Sequence, residues 1–205
     1  MIRGAVILGV IGGIGAGKST VVRMLAECGA EVVDADAEAH EALEEAEVRR
    51  ELKGWLGTEV FRRDGTVDRK AVAARVFRSP EGLRRLEALI HPRVRTAIEA
   101  KVLAFQAAGE SSAGERLLVL DVPLLLDSPL AEKCDAILYV DAEHATRVRR
   151  VAERGWEKGE LERRESFQRS DAEKRQAADH TMDNSGSIDE TRLQVRELYS
   201  RLLSN

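Results

Sequence analysis

Gly12-Gly13-Ile14-Gly15-Ala16-Gly17-Lys18-Ser19 fits the spacing G-x-x-x-x-G-K-[ST] at every position. A loop that folds its backbone around phosphate oxygens has no room for a Cβ at several places, and glycine removes it. The N–H groups then turn inward as a nest for α- and β-phosphates. Lys18 reaches the β/γ oxygens, and the Ser19 hydroxyl is placed to ligate Mg²⁺. Gly12, Gly13, Gly15, Ala16, Gly17, Lys18, Ser19 and Thr20 are therefore the expected triphosphate contacts.

The elements that must position this loop are legible on both sides of it. Ala5-Val6-Ile7-Leu8-Gly9-Val10-Ile11 is continuously apolar and reads as a buried parallel strand. Thr20-Val21-Val22-Arg23-Met24-Leu25-Ala26 reads as a helix closed by Gly29. A helix beginning at the loop adds the positive end of its dipole to an anion site. Further strands are expected at 31–34, 117–121 and 136–140, with a weak fifth at 181–183. Strands alternating with helices point to an α/β fold with a parallel sheet.

A phosphate loop specifies a nucleotide but not its fate. The Asn-Lys-x-Asp guanine reader is missing: Asn184 and Asn205 are the only asparagines, and neither starts it. Asp121 ends the third strand and Val122 follows it, so no carboxylate stands there to activate water. Transfer to an acceptor hydroxyl is the better reading. It needs a base, and Asp34-Ala35-Asp36 lies at the carboxyl end of the second strand, the end that faces the ligand crevice in such sheets. Asp36 is the expected proton acceptor, with helix capping as the rival role. Asp34 is expected to be structural or metal-associated.

Between the second and third strands lies a long helical insertion. Val48, Leu52, Trp55 and Leu56 share a helical face, and Ser79-Pro80 is a start signal. Leu83, Leu86 and Ile90 continue from it. His91-Pro92 is expected to interrupt, with a further helix through Val94, Ile98, Val102 and Phe105. Residues 109–114 are the most linker-like segment. Residues 147–175 carry ten Arg or Lys against seven Asp or Glu, and read as a solvated surface or as a mobile lid that carries arginines to the triphosphate. The last helix starts at Ser187, where Glu190 completes a capping box.

The bulk properties exclude other classes. A chain of 205 residues, 43% apolar and 33% charged, can bury one sizeable core. A net charge of -4 gives no basic field for nucleic acid. No apolar run approaches ~18 residues, so no membrane span is expected, and the short run at the start leads into the phosphate loop rather than a cleavage site. Cys28 and Cys134 are far apart and the four histidines are scattered singly, so neither a disulfide framework nor a zinc site is expected, and a cytoplasmic location is.

The loop, followed by Val33-Asp34-Ala35-Asp36, resembles dephospho-coenzyme A kinases. The resemblance runs through Asp64-Gly65-Thr66-Val67-Asp68-Arg69, Leu89-Ile90-His91-Pro92, Val122-Pro123-Leu124-Leu125-Leu126, Gln168, Glu173-Lys174, Ala178-Asp179 and Asp183-Asn184-Ser185-Gly186-Ser187. It implies transfer of the γ-phosphoryl of ATP to the ribose 3′-hydroxyl of dephospho-CoA, with Mg²⁺, giving CoA and ADP. By matching position it implies Asp36 as base, Lys18 neutralising the moving phosphoryl group and Ser19 on the metal. It further implies Arg150 on the ATP phosphates and Asn184 and Gly186 near adenine. His40, Arg69, His91 and Arg93 become candidates for the CoA side, although His91 before Pro92 reads equally as a helix-entry residue.

The implied architecture is a three-layer P-loop NTPase fold, a parallel five-stranded sheet flanked by helices with a helical substrate insertion and a lid. Its nucleotide-binding core would be 1–36, 115–154 and 176–205, its CoA-substrate subdomain 37–114 and its lid 155–175. The expected partners are ATP and dephospho-CoA, with no nucleic acid and no membrane, in a monomer or weak homo-oligomer. Departures from the family pattern are His40 where arginine is frequent, Asp127 where glutamate is frequent, His180, and Gly155-Trp156-Glu157-Lys158-Gly159 in the lid. A kinase for a nucleoside monophosphate or another small hydroxyl, and a non-enzymatic ATP-binding module, remain alternatives.

Overall fold

The computed structural model describes residues 5–109 and 115–204. Its elements run β1 (Ala5–Gly12), α1 (Lys18–Glu27), β2 (Glu31–Asp34), α2 (Ala35–Glu44), α3 (Ala46–Leu56), α4 (Arg69–Val76), α5 (Pro80–Gly109), β3 (Arg116–Asp121), β4 (Ala136–Asp141), α6 (His144–Ala152), α7 (Glu160–Glu165), α8 (Asp171–Gln176), β5 (His180–Asp183) and α9 (Ile188–Leu203). Apart from Gly109, the expected linker at 109–114 lies outside the described residues.

All five strands pair in parallel in the order β2-β3-β1-β4-β5, so the strand leading into the phosphate loop is central. The architecture is the expected three-layer one. Alternate side chains of the buried strands serve opposite faces. Leu8, Val10, Leu117, Val119, Leu138 and Val140 meet α1 and α9 through Val21, Leu25, Val195 and Leu198. Ile7, Ile11, Leu118, Leu120 and Ile137 are buried from the other face. There the short 3-10 helix Leu125–Asp127 packs so close that a Cβ on Gly9 would lie 2.5 Å from the Leu125 side chain.

The chain divides into two compact units, 1–34 with 102–205 and 35–101. The second has its own core, in which Val48 and Leu52 of α3, Val60, Val67, Val72, Val76 and Ile90 are buried. Ser79 starts α5 as expected, its hydroxyl accepting from the Gly82 N–H at 3.0 Å. The expected break at Pro92 does not occur, because α5 continues through it to Gly109. Proline costs a helix a donor and crowds the preceding turn. Here the Arg93 guanidinium bonds the Leu89 carbonyl at 2.7 Å, and Ile90 and Ile98, on either side of the proline, are held in the apolar interior. Burial outweighs the local penalty.

Candidate functional site

The phosphate loop joins the carboxyl end of β1 to the first turn of α1. Gly15 and Gly17 take left-handed backbone angles, φ 77° and 92°. At Gly17 the space is also taken, since a Cβ there would overlap the Asn184 amide nitrogen. The loop is closed by Ala16 N–H to the Gly13 carbonyl at 3.2 Å and Thr20 N–H to the Gly17 carbonyl at 3.0 Å. Helix α1 has no side-chain cap and no acidic residue in its first turn. Its leading N–H groups are thus left for an anion. Ser19 stands exposed in that turn.

Lys18 reaches back over the loop, its ammonium 3.2 Å from the Gly12 carbonyl. Burial holds its pKa below the ordinary lysine value. Asp121 opposes that shift, while the charges of Lys174 and Arg154 add to it. A depressed lysine loses its proton at lower pH than a free one. The kcat/KM for ATP is therefore expected to fall on the alkaline side below pH 10.5, the unperturbed value. Saturating ATP, whose charge favours the ammonium, is expected to move that limb of kcat upward. A pH–rate series at low and saturating ATP checks this; an alkaline limb that stays put at both would remove Lys18 from the titration.

Arg150 of α6 binds the outside of the same loop. Its guanidinium donates to the carbonyls of Gly15 (3.3 Å), Ala16 (3.1 Å) and Asn184 (2.8 Å). The Asn184 amide donates to the Ala16 carbonyl at 2.6 Å and its oxygen accepts from Thr191 of α9 at 2.7 Å. The asparagine is thus committed to holding the loop against α9. Gly17, Thr20, Arg150, Asn184, Gly186 and Ile188 line a cavity of about 340 Å³, within the size range of small-ligand sites. The structure brings Gly17, Thr20, Arg150, Asn184 and Gly186, expected as nucleotide contacts, together around one loop.

The remaining expected residues belong to the second unit. Asp36 is the second residue of α2, in its first turn, and is exposed. His40 follows one turn later, 3.4 Å from an Arg69 guanidinium nitrogen. His91 is exposed on α5. Arg93 is engaged by Glu45 (3.1 Å), Glu47 (2.8 Å) and the Leu89 carbonyl, which fastens α5 to the segment around α3. Glu38, between Asp36 and His40, is buried and paired with Lys101 at 2.5 Å.

Sequence reasoning missed three features. Arg147, counted with a solvated stretch, is buried with Val151 one turn on; that i,i+4 relation to an apolar residue was the available signal. Lys174 is also buried. Leu124 has φ 53°, the sole positive value outside glycine among the described residues. It is half exposed just beyond the end of β3, where strained backbone tends to accompany function.

The protein-family model described as dephospho-CoA kinase matches residues 6–190. A Deinococcus radiodurans dephospho-CoA kinase is 43% identical over 89% of this chain and 85% of its own length. One from Leifsonia xyli is 41% identical over 96% of this chain and 98% of its own. A solved structure of a Thermus thermophilus protein superposes with a TM-score of 0.73 at 34% identity, covering 97% of this chain and 98% of that one.

Proposed function

The chain belongs to the dephospho-CoA kinase family, and from that premise we infer that it moves the γ-phosphoryl group of ATP to the ribose 3′-hydroxyl of dephospho-CoA. The observation that carries the reading is a phosphate loop built for a polyanion. Its carbonyls are taken by Arg150 and Asn184, the leading N–H groups of α1 are uncapped, and Lys18 arches over it.

Each residue's part follows from its chemistry. The loop N–H groups and Lys18 bind the phosphates, and Arg150 keeps the loop in its receptive shape while flanking the cavity that would take the adenosine. Asp36 accepts the acceptor's proton. It lies two residues beyond Asp34, so the chain alone keeps the two Cα atoms within about 7 Å. Asp34 is in register with Asp121 at the carboxyl end of the sheet. His40, Arg69, His91 and Arg93 would serve the CoA side, His40 and Arg69 as an adjacent pair.

The oxygens present suit Mg²⁺. Among the described residues no cluster of three or more His, Cys, Asp or Glu forms a closed cage. Ser19 and Asp121 offer hard donors beside the loop, and Mg²⁺ characteristically takes one or two protein oxygens and completes its shell with phosphates and water. When bound it would neutralise phosphate charge; Ser19 and Asp121 would hold it.

We place the lid at 155–175. From 152 to 178 only Leu161 and Lys174 are buried, so apolar anchoring there amounts to about 1.5–3 kcal/mol, little enough for nucleotide binding to move it. No helix among the described residues is long and apolar enough to cross a membrane. A reducing compartment such as the cytoplasm suits the free Cys28 and Cys134, and burial pushes the Cys134 thiol up to about 12.

A phosphoryl-transfer panel tests the function. Dephospho-CoA is expected to be phosphorylated with stoichiometric ADP release. Phosphorylation of a nucleoside monophosphate with dephospho-CoA ignored would overturn the assignment, and absence of turnover with any acceptor would leave only a binding module.

A further inference from the structure

The segment after α6 is fastened to the phosphate loop by charge. Arg147, 6% exposed, donates through Nη1 to Glu165 of α7 and through Nη2 to Asp171 of α8, the latter at 2.9 Å. A Cβ on Gly13 would lie 2.7 Å from Arg147 Nη1 and 3.5 Å from Asp171 Oδ1. The guanidinium and one of its carboxylates therefore lie close against the second glycine of the loop. Lys174 is buried beside them, 3.1 Å from Gln168 Oε1 and 3.9 Å from Asp171 Oδ1.

Formal charges in this cluster cancel, with two cations, Arg147 and Lys174, against two anions, Glu165 and Asp171. The cancellation matters because the loop exists to receive a polyanion. A carboxylate at van der Waals distance from a phosphate cradle, in a partly buried setting, repels the ligand strongly unless a cation stands against it. Buried ion pairs contribute little net stability, so holding the fold together is a weak reason for this one. Arg147 Nε is, moreover, the one buried side-chain polar atom without a hydrogen-bond partner among the described residues. Such donors are rare. It marks a cluster whose polar balance is not closed within the protein.

We propose that Arg147 is a positioning residue for ATP: it neutralises the lid carboxylates Glu165 and Asp171 against Gly13, so that the phosphate loop accepts a triphosphate with α7 and α8 docked. Arg150, three residues on, holds the loop's carbonyls; Arg147 balances the charge that the lid brings to it. The inference rests on reading the loop as an ATP cradle.

Four proteins test it: wild type, Arg147→Met, Asp171→Asn, and the triple variant Arg147→Met with Glu165→Gln and Asp171→Asn. Kd for a non-hydrolysable ATP analogue is measured by calorimetry, with KM and kcat alongside. Arg147→Met is expected to raise Kd and KM for ATP about tenfold or more, with a smaller change in kcat. Asp171→Asn is expected to lower both constants, and the triple variant to return to within about threefold of wild type. A merely structural arginine would give equal losses in Arg147→Met and the triple variant, and unaltered affinity in Asp171→Asn; that pattern overturns the proposal. Should Arg147→Met fail to fold, the other two variants still decide. Failure of wild type to bind the analogue would instead overturn the ATP reading itself.

Discussion

Asp36→Asn is expected to lower kcat by about 10²–10⁴-fold, the usual worth of a general base, with KM for ATP nearly unchanged. The amide keeps the shape of the carboxylate and cannot take the proton from the acceptor hydroxyl. Because Asp36 is exposed in the first turn of α2 and packs no core, its replacement leaves the fold intact. Steady-state kinetics with binding of an ATP analogue and a melting curve separate these effects. Turnover like that of wild type would remove Asp36 from the mechanism, and a collapsed melting temperature would make it structural. The neighbouring Asp34 supplies the control, being expected to matter through the strand end beside Asp121 rather than through proton transfer.

Lys18→Met is expected to act with opposite signs on activity and stability. The positive charge aimed at the transferring phosphoryl group is lost, and kcat/KM for ATP should fall by about 10²–10³-fold, as when an electrostatic stabiliser is deleted from a preorganised site. Burial already disfavours the ammonium, as its lowered pKa records. An apolar side chain of similar length relieves that cost, so the melting temperature is expected to hold or rise. Such a trade is usual where a site keeps an unfavourable charge for function. A variant that melts early and also loses activity would show that the Lys18 contact with the Gly12 carbonyl is structural.

The two variants divide the reaction between two elements that were unequally legible. The phosphate loop could be read residue by residue, because its demands are local: φ above zero at Gly15 and Gly17, an uncapped helix start, and a lysine one residue past the last glycine. The capping box at Ser187 and Glu190 was local too, and the structure contains it. Pro92 shows where local reasoning stops. A proline inside a helical pattern argues for a break, yet α5 runs on, because the buried faces around Ile90 and Ile98 reward continuity more than the missing donor penalises it. Arg93, a candidate substrate contact by resemblance, is engaged by Glu45 and Glu47, 46 and more residues away in sequence.

What the amino-acid order settled alone was the phosphate-binding loop, the parallel α/β arrangement around it and the family to which the chain belongs. Each rests on short-range backbone preference, on hydrophobic period, or on motifs in a fixed order. Which charges neutralise which was decided only in three dimensions. Arg147 and Arg150 sit three residues apart on one helix, yet one lies under Gly13 between two carboxylates and the other grips the loop's carbonyls. Coulomb energy depends on separation and on local dielectric. Both are set by where α7 and α8 bring Glu165 and Asp171 against Arg147, and in a stretch where seventeen of twenty-nine side chains are charged the linear order leaves many pairings open.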